Sequence, residues 1–147
     1  MRAAVCLFTR DLRVHDNPAL AAAAAEAETV APLFVLDDAI LARFGAPARV
    51  AFLLDALRDL DRSLRRRGSA LVVRRGDTVR EAVRVAEEVG AGAVFLAEDV
   101  SATAARREAR LRRIGTRLEV RAFPGTTVVP PDDLAPAGAD GPFRVFT

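Results

Sequence analysis

Three clusters of charged side chains each follow a short apolar run: Arg10, Asp11 and Arg13 after residues 3–8, Asp37 and Asp38 after residues 29–36, and Glu98 and Asp99 after residues 93–96. Carboxylates accept hydrogen bonds and guanidinium groups donate them in a fixed fork, so such clusters can bind and orient a polar ligand. If the apolar runs are parallel strands of one sheet, all three clusters fall at their carboxyl ends, along the edge where open α/β sheets take their ligands. Charge also gathers at strand ends simply because loops are solvated. Both readings stand for these residues.

Bond-making chemistry has less to work with. His15 is the single histidine and reads as a loop residue bonded to backbone, while the single cysteine, Cys6, lies inside the first apolar run. No serine or cysteine has a plausible base beside it, and no zinc-ligand set exists. Phosphate-loop motifs are missing as well: Gly90-Ala91-Gly92 precedes an apolar run where a dinucleotide fingerprint follows one, and no Gly-Lys-Ser/Thr occurs. Tight NAD or ATP binding is therefore disfavoured.

All 22 basic residues are arginine and the net charge is only +2. The isoelectric point near 9.8 thus reports arginines that never deprotonate more than it reports a basic surface. Exclusive use of arginine reads as coding bias. The runs Arg65-Arg66-Arg67, Arg74-Arg75 and Arg106-Arg107 with Arg110, Arg112 and Arg113 interleave with Leu and Glu, which reads as solvated helix faces more than as a phosphate-binding stripe. With eight Phe and neither Trp nor Tyr, the chain has no obvious base-stacking platform and no aromatic electron-transfer chain.

The elements that must position the three clusters follow from periodicity. A length of 147 residues at 51% hydrophobic content suits one core. Residues 3–8 form a continuous apolar run, the mark of a strand covered on both faces. Asp16 or Asn17, followed by Pro18, caps a helix carried by residues 19–25. Residues 29–36 are a second strand, where Pro32 is tolerable only near an edge, a bulge or the strand's beginning. A short turn or helix reaches Phe44. Gly45 and Pro47 then open a long helix whose Val50, Leu53, Leu54, Leu57, Leu60 and Leu64 share one stripe, and Gly68 ends it. Strands are expected at residues 70–73, 93–96 and 117–122, with one helix capped by Asp77 and another by Ser101 or Thr103 between them. Five strands alternating with four helical segments imply right-handed crossovers and a parallel sheet.

From Phe123 onward the periodicity stops among prolines and glycines, which predicts a linker over residues 123–147. The apolar ending Phe143-Arg144-Val145-Phe146-Thr147 reads as a cut in a longer sequence. With no basic leader and no run of about 18 apolar residues, the expectation is a cytoplasmic monomer with no membrane partner.

Several segments taken in order resemble the N-terminal domain of the DNA photolyase and cryptochrome family. They are Phe8-Thr9-Arg10-Asp11-Leu12-Arg13 with His15-Asp16-Asn17-Pro18-Ala19-Leu20, Leu33-Phe34-Val35-Leu36-Asp37, Arg49 with Phe52-Leu53, Leu71-Val72-Val73-Arg74-Arg75-Gly76-Asp77, and Gly141-Pro142-Phe143-Arg144-Val145-Phe146-Thr147. The resemblance covers essentially the whole chain. Thr9 stands where that family more often has Arg.

This resemblance implies a Rossmann-like three-layer αβα domain with a five-stranded parallel sheet over residues 1–122, and a linker, residues 123–147, toward a helical FAD-binding domain outside the chain. In that family the N-terminal domain holds an auxiliary light-harvesting chromophore, either a folate or a deazaflavin and sometimes a flavin. Its excitation passes to FAD, which drives repair of pyrimidine dimers in DNA. Residues for FAD and damaged DNA would lie beyond Thr147, so the chain alone is expected to be catalytically silent, and photolyase is not separable from cryptochrome. Carried over by position, Phe34 would line the antenna pocket, Asp37 and Asp99 would accept hydrogen bonds from the chromophore, Arg49 and Phe52 would close the wall, and Arg10 and Leu12 would contribute from the first turn. Ser101 stands where folate-binding members carry Glu, which favours 8-hydroxy-5-deazaflavin over folate. Two other readings remain: a stand-alone nucleotide-binding α/β module, and an interaction domain using the Phe143–Phe146 end.

Overall fold

A computed structural model describes residues 1–127, the side chain of Phe44 excepted. The chain runs β1 (Ala3–Phe8), α1 (Pro18–Glu26), β2 (Thr29–Leu36), α2 (Asp38–Phe44), α3 (Pro47–Arg65), β3 (Val72–Arg75), α4 (Thr78–Val89), β4 (Ala93–Ala97), α5 (Ala102–Ile114) and β5 (Glu119–Phe123). Every strand pairing is parallel, in the order β3-β2-β1-β4-β5. The three-layer α/β fold expected from the alternating pattern is the one observed.

Central position explains the composition of β1. All six of its residues are buried, because helices cover both faces and strands both flanks. On one face Ala4, Cys6 and Phe8 pack with Ala19 and Ala23 of α1 and Leu57, Leu60 and Leu64 of α3. On the other, Val5 and Leu7 pack with Val79, Ala82, Val85 and Ala86 of α4 and Leu111 of α5. The long stripe of α3 thus meets the sheet, with one departure: Leu54 is 38% exposed.

Boundaries move where side chains recruit backbone groups. Residues 70–73 were the expected third strand, yet β3 is Val72–Arg75. The Leu71 amide donates to Asp61 Oδ1 at 2.9 Å instead of joining the ladder, and pairing with β2 begins at Leu33 and Val72. Arg74 and Arg75 belong to the edge strand, paired with Val35 and Leu36 of β2, and their heads reach Glu88 and Asp38. Pro32 is opposite Cys6 of β1, one residue before β3 pairing starts, so its missing donor sits where β2 is locally an edge.

The last strand is Glu119–Phe123, not residues 117–122, since the Leu118 amide closes a turn on the Gly115 carbonyl. Phe123 therefore belongs to the sheet. Its ring stacks on Phe95 at 5.8 Å between centroids, and the Arg121 guanidinium lies 5.0 Å from the Phe95 centroid. The proposed linker beyond residue 127 and the Phe143–Phe146 segment lie outside the described residues. No helix among the described residues is long and apolar enough to cross a membrane.

Candidate functional site

Strand order reverses beside β1: the chain builds outward through β2 and β3, then returns to β4 on the other flank. Loops leaving β1 and β4 diverge at such a point and open a crevice at the carboxyl edge. One side chain from each charged cluster, Arg10, Asp37 and Asp99, converges there.

The loop after β1 is held by a buried polar pair. Asn17 caps α1, its Oδ1 accepting from the Leu20 amide at 2.9 Å, while its Nδ2 donates to Asp11 Oδ2 at 3.0 Å and to the Arg13 carbonyl at 3.1 Å. Arg13 Nη2 donates to the carbonyls of Asp16 and Gly125, both at 2.9 Å. With Asp11 and Arg13 committed to the loop, Arg10 crosses to the end of β4, Nε 3.1 Å from Asp99 Oδ2. The Asp99 side chain is only 6% exposed, and its Oδ1 accepts from the Ser101 amide at 2.8 Å.

Asp37 is more fully engaged. Its Oδ1 caps α2 by accepting from the amides of Ala39 and Ile40, and its Oδ2 accepts the Thr78 amide at 3.0 Å and the Thr78 hydroxyl at 2.8 Å. Burial pushes its carboxyl pKa up, but these hydrogen bonds to the charged form outweigh it and hold the pKa below the ordinary value.

Between these groups is a cavity of about 280 Å³. Phe8, Phe34, Val35, Leu36, Ile40, Leu41 and Leu53 give it apolar walls, and Thr9, Arg10, Asp37, Thr78, Asp99, Ser101, Thr103 and Arg107 give it polar ones. Of the sequence candidates, Phe34, Asp37, Asp99 and Arg10 line it. Leu12 packs instead against the core beneath α1 and α3. Arg49 is exposed and Phe52 is 77% exposed, both outside the lining. Their helix contributes Leu53 at this point.

The side chain that sequence reasoning missed is Arg107. Read from its run as part of a solvated helix face, it is instead half-buried in the cavity wall, on the same stripe of α5 as the buried Ala104 and Leu111. Burial pulls its pKa below the usual arginine value; nearby Asp99 opposes this and Arg10 adds to it. Arg107 Nε and Thr9 Oγ1 are both inaccessible and without a hydrogen-bond partner among the described residues. Three helical arginines do read as expected, Arg110 pairing with Asp77, Arg112 with Glu108 and Arg65 with Asp61, whereas Arg74 and Arg75, expected on a helix face, lie on β3. His15 is exposed, its ring nitrogen facing Arg67 at 3.4 Å rather than a backbone group.

A model of the DNA photolyase family matches residues 4–147. The chain belongs to the DNA photolyase family. It is 49% identical over 152 residues to the deoxyribodipyrimidine photo-lyase of Streptomyces griseus, covering 100% of this chain and 33% of that protein. The structure of a class III photolyase from Agrobacterium tumefaciens superposes with a TM-score of 0.86 at 28% identity, over 99% of this chain and 30% of the other. An archaeal photolyase from Sulfolobus tokodaii, described with two FAD molecules and as implying a novel light-harvesting cofactor, gives 0.80 at 27% identity over 90% and 32%. This photolyase-family chain therefore spans about a third of the length of the relatives it matches, and it corresponds to their N-terminal α/β domain. Photolyase-family proteins bind chromophore cofactors.

Proposed function

We propose that the crevice across the ends of β2, β1 and β4 binds an auxiliary light-harvesting chromophore, and that the longer protein uses it beside an FAD held in a helical domain to repair pyrimidine dimers in DNA. The observation that carries this reading is the composition of the cavity: apolar walls from Phe8, Phe34 and Leu53 beside the polar side chains of Arg10, Asp99 and Arg107. Such a slot suits a planar conjugated ring with polar edges. When bound, the chromophore supplies light absorption and passes its excitation on.

What the chain supplies is position and dryness. Phe8 and Phe34 exclude water from the ring faces, and Leu53 closes the side toward α3. Asp99 keeps acceptor capacity beyond its bonds to Arg10 and Ser101, so it is the carboxylate that faces the ligand. Asp37 already receives four donors; its role is to hold α2 and α4 as walls. Ser101 caps α5 by accepting from the Ala104 amide at 3.2 Å. A short, committed hydroxyl at the position of the folate-holding Glu favours 8-hydroxy-5-deazaflavin over folate. We place the longer protein in the cytoplasm as a monomer, in keeping with the free, buried Cys6.

Titrating the chain with 8-hydroxy-5-deazaflavin, methenyltetrahydrofolate and ATP, and following absorbance and the unfolding midpoint, tests the reading. A rise in Tm with deazaflavin, larger than with folate and missing with ATP, is expected. Stabilisation by ATP alone would replace it with the nucleotide-binding alternative.

A further inference from the structure

The chain leaving β5 does not run straight on from the sheet. The Phe123 carbonyl accepts from the Glu98 amide at 2.8 Å and the Thr126 hydroxyl donates to the Glu98 carbonyl at 2.6 Å, so residues 123–126 turn back over the end of β4. Gly125 then meets the loop after β1. Its carbonyl accepts from Arg13 Nη2 at 2.9 Å, across 112 residues of sequence.

The same guanidinium holds its own loop, donating to the Asp16 carbonyl from Nη2 at 2.9 Å and from Nε at 3.2 Å, and to the His15 carbonyl from Nε at 3.2 Å. Asp16 has a left-handed φ of 51°, uncommon for a residue with a side chain. Arg13 thus pins a strained turn and the returning chain with one planar fork, whose donors keep a fixed geometry that an ammonium does not have. Gly125 fits the contact from the other side. Its φ is 153°, and a Cβ there would lie 3.0 Å from Pro18 Cδ at the start of α1. Thr126 and Thr127 then border a cleft of about 200 Å³ together with Arg10 and Asp99, the pair that also walls the crevice. At Thr127 the chain therefore stands beside the Asp99 end of the candidate site.

We propose that Arg13 is a positioning residue: its fork locks residues 123–127 across the ends of β4 and β1, and so fixes where the remainder of the longer protein stands relative to the crevice. This rests on reading the crevice as a chromophore site whose excitation passes to an FAD held beyond this chain, because such transfer depends on the separation and mutual orientation of donor and acceptor. Arg13 does not line the crevice. It acts through the chain that it holds.

Two measurements test the lock. In the first, spin labels are placed at Thr127→Cys and at Glu87→Cys, exposed on the last turn of α4, while the single native cysteine, Cys6, is buried and stays unlabelled. Pulsed paramagnetic resonance is expected to give one narrow distance. Arg13→Gln raises the share of other distances about fivefold, and Gly125→Ala broadens the distribution from the opposite side of the contact. Arg13→Lys is intermediate, and Arg113→Gln, which removes the same charge from the exposed end of α5, leaves it narrow. In the second, the longer protein is loaded with FAD and 8-hydroxy-5-deazaflavin, and quenching of the deazaflavin emission reads the transfer. Arg13→Gln and Gly125→Ala lose transfer efficiency at unchanged deazaflavin affinity and FAD content, and Arg13→Lys restores part of it.

Should Arg13→Gln fail to fold by circular dichroism, Gly125→Ala carries both measurements. A distribution as narrow in the variant as in the unsubstituted chain overturns the inference and leaves the chromophore reading intact. Broadening without loss of transfer overturns it as well. A longer protein that binds no deazaflavin, or passes nothing to FAD, sinks both.

Discussion

Asp37 at the end of β2 and Thr78 at the start of α4 are joined twice, Oδ2 accepting from the threonine hydroxyl at 2.8 Å and from its amide at 3.0 Å across 41 residues of sequence. Because the other carboxylate oxygen caps α2, one side chain fixes three elements around the crevice. The wall is built before any ligand arrives.

Replacing Asp37 with Ala removes a helix cap and strands the Thr78 donors, and is expected to lower unfolding stability by about 2 kcal/mol. Urea denaturation monitored by circular dichroism measures it. An unchanged midpoint would mean that Asp37 does not clasp these elements in solution.

Acid should unfold the chain through the same kind of contact. Burial raises the Asp37 and Asp77 pKa values, but hydrogen bonds from Thr78 to the one, and from Arg110 and the Arg80 amide to the other, hold both below the ordinary carboxylate value. The unfolded chain then binds more protons in this range. Their stabilisation is complete above the unfolded carboxylate pKa of about 4 and is lost as pH falls through the depressed folded values. Urea midpoints taken from pH 6 down to pH 2 should stay level and then fall; a midpoint rising below pH 4 contradicts the sign.

At the β4 end, Asp99→Ala is expected to weaken deazaflavin binding by about 1–3 kcal/mol, with Arg10 released into solvent. Fluorescence titration gives the affinity, and an unchanged value removes Asp99 from the site.

Two neighbours on α3 should behave oppositely. Phe52, 77% exposed, changes neither Tm nor chromophore affinity when cut to Ala. Leu53 lines the cavity and packs against the core, so Leu53→Ala lowers both, stability by roughly 1–3 kcal/mol. Equal effects at both positions would place the wall of the site differently.

Burial, with a smaller contribution from Asp11, raises the Cys6 thiol pKa far above its ordinary value. The native chain should resist a thiol-reactive disulfide reagent at pH 8 and react fully in 6 M guanidinium. Rapid modification of folded protein would show that β1 opens readily.

Much of this arrangement is legible in the sequence because its causes are local. The unbroken apolar run of β1, the Asn17-Pro18 helix start and the Asp77 and Ser101 caps each declare themselves within a few residues, and the three charged clusters meet because parallel strands share one carboxyl edge. Less legible is what depends on distant partners. The start of β3 is displaced by Asp61 reaching Leu71, and the end of β5 is set by Phe123 finding Phe95. Whether a residue in a motif faces the cavity depends on helix rotation and on which turn reaches it: Leu53 enters where its neighbour Phe52 points away, and Arg49 is exposed one turn earlier. Arg107 left a trace that the run of arginines concealed, for it falls three residues after Ala104 and four before Leu111 on the buried stripe of α5.

The reversed strand order also bears on how the chain is made. β1 pairs with β2 almost at once, but its second neighbour, β4, lies about ninety residues further on, as Ala4 opposite Ala93 shows. Until that segment leaves the ribosome, one flank of a wholly apolar strand has nothing beside it. A chain halted before β4 should accordingly aggregate or hold a chaperone, and assembly of the crescent of charges at the strand ends becomes a late event in synthesis.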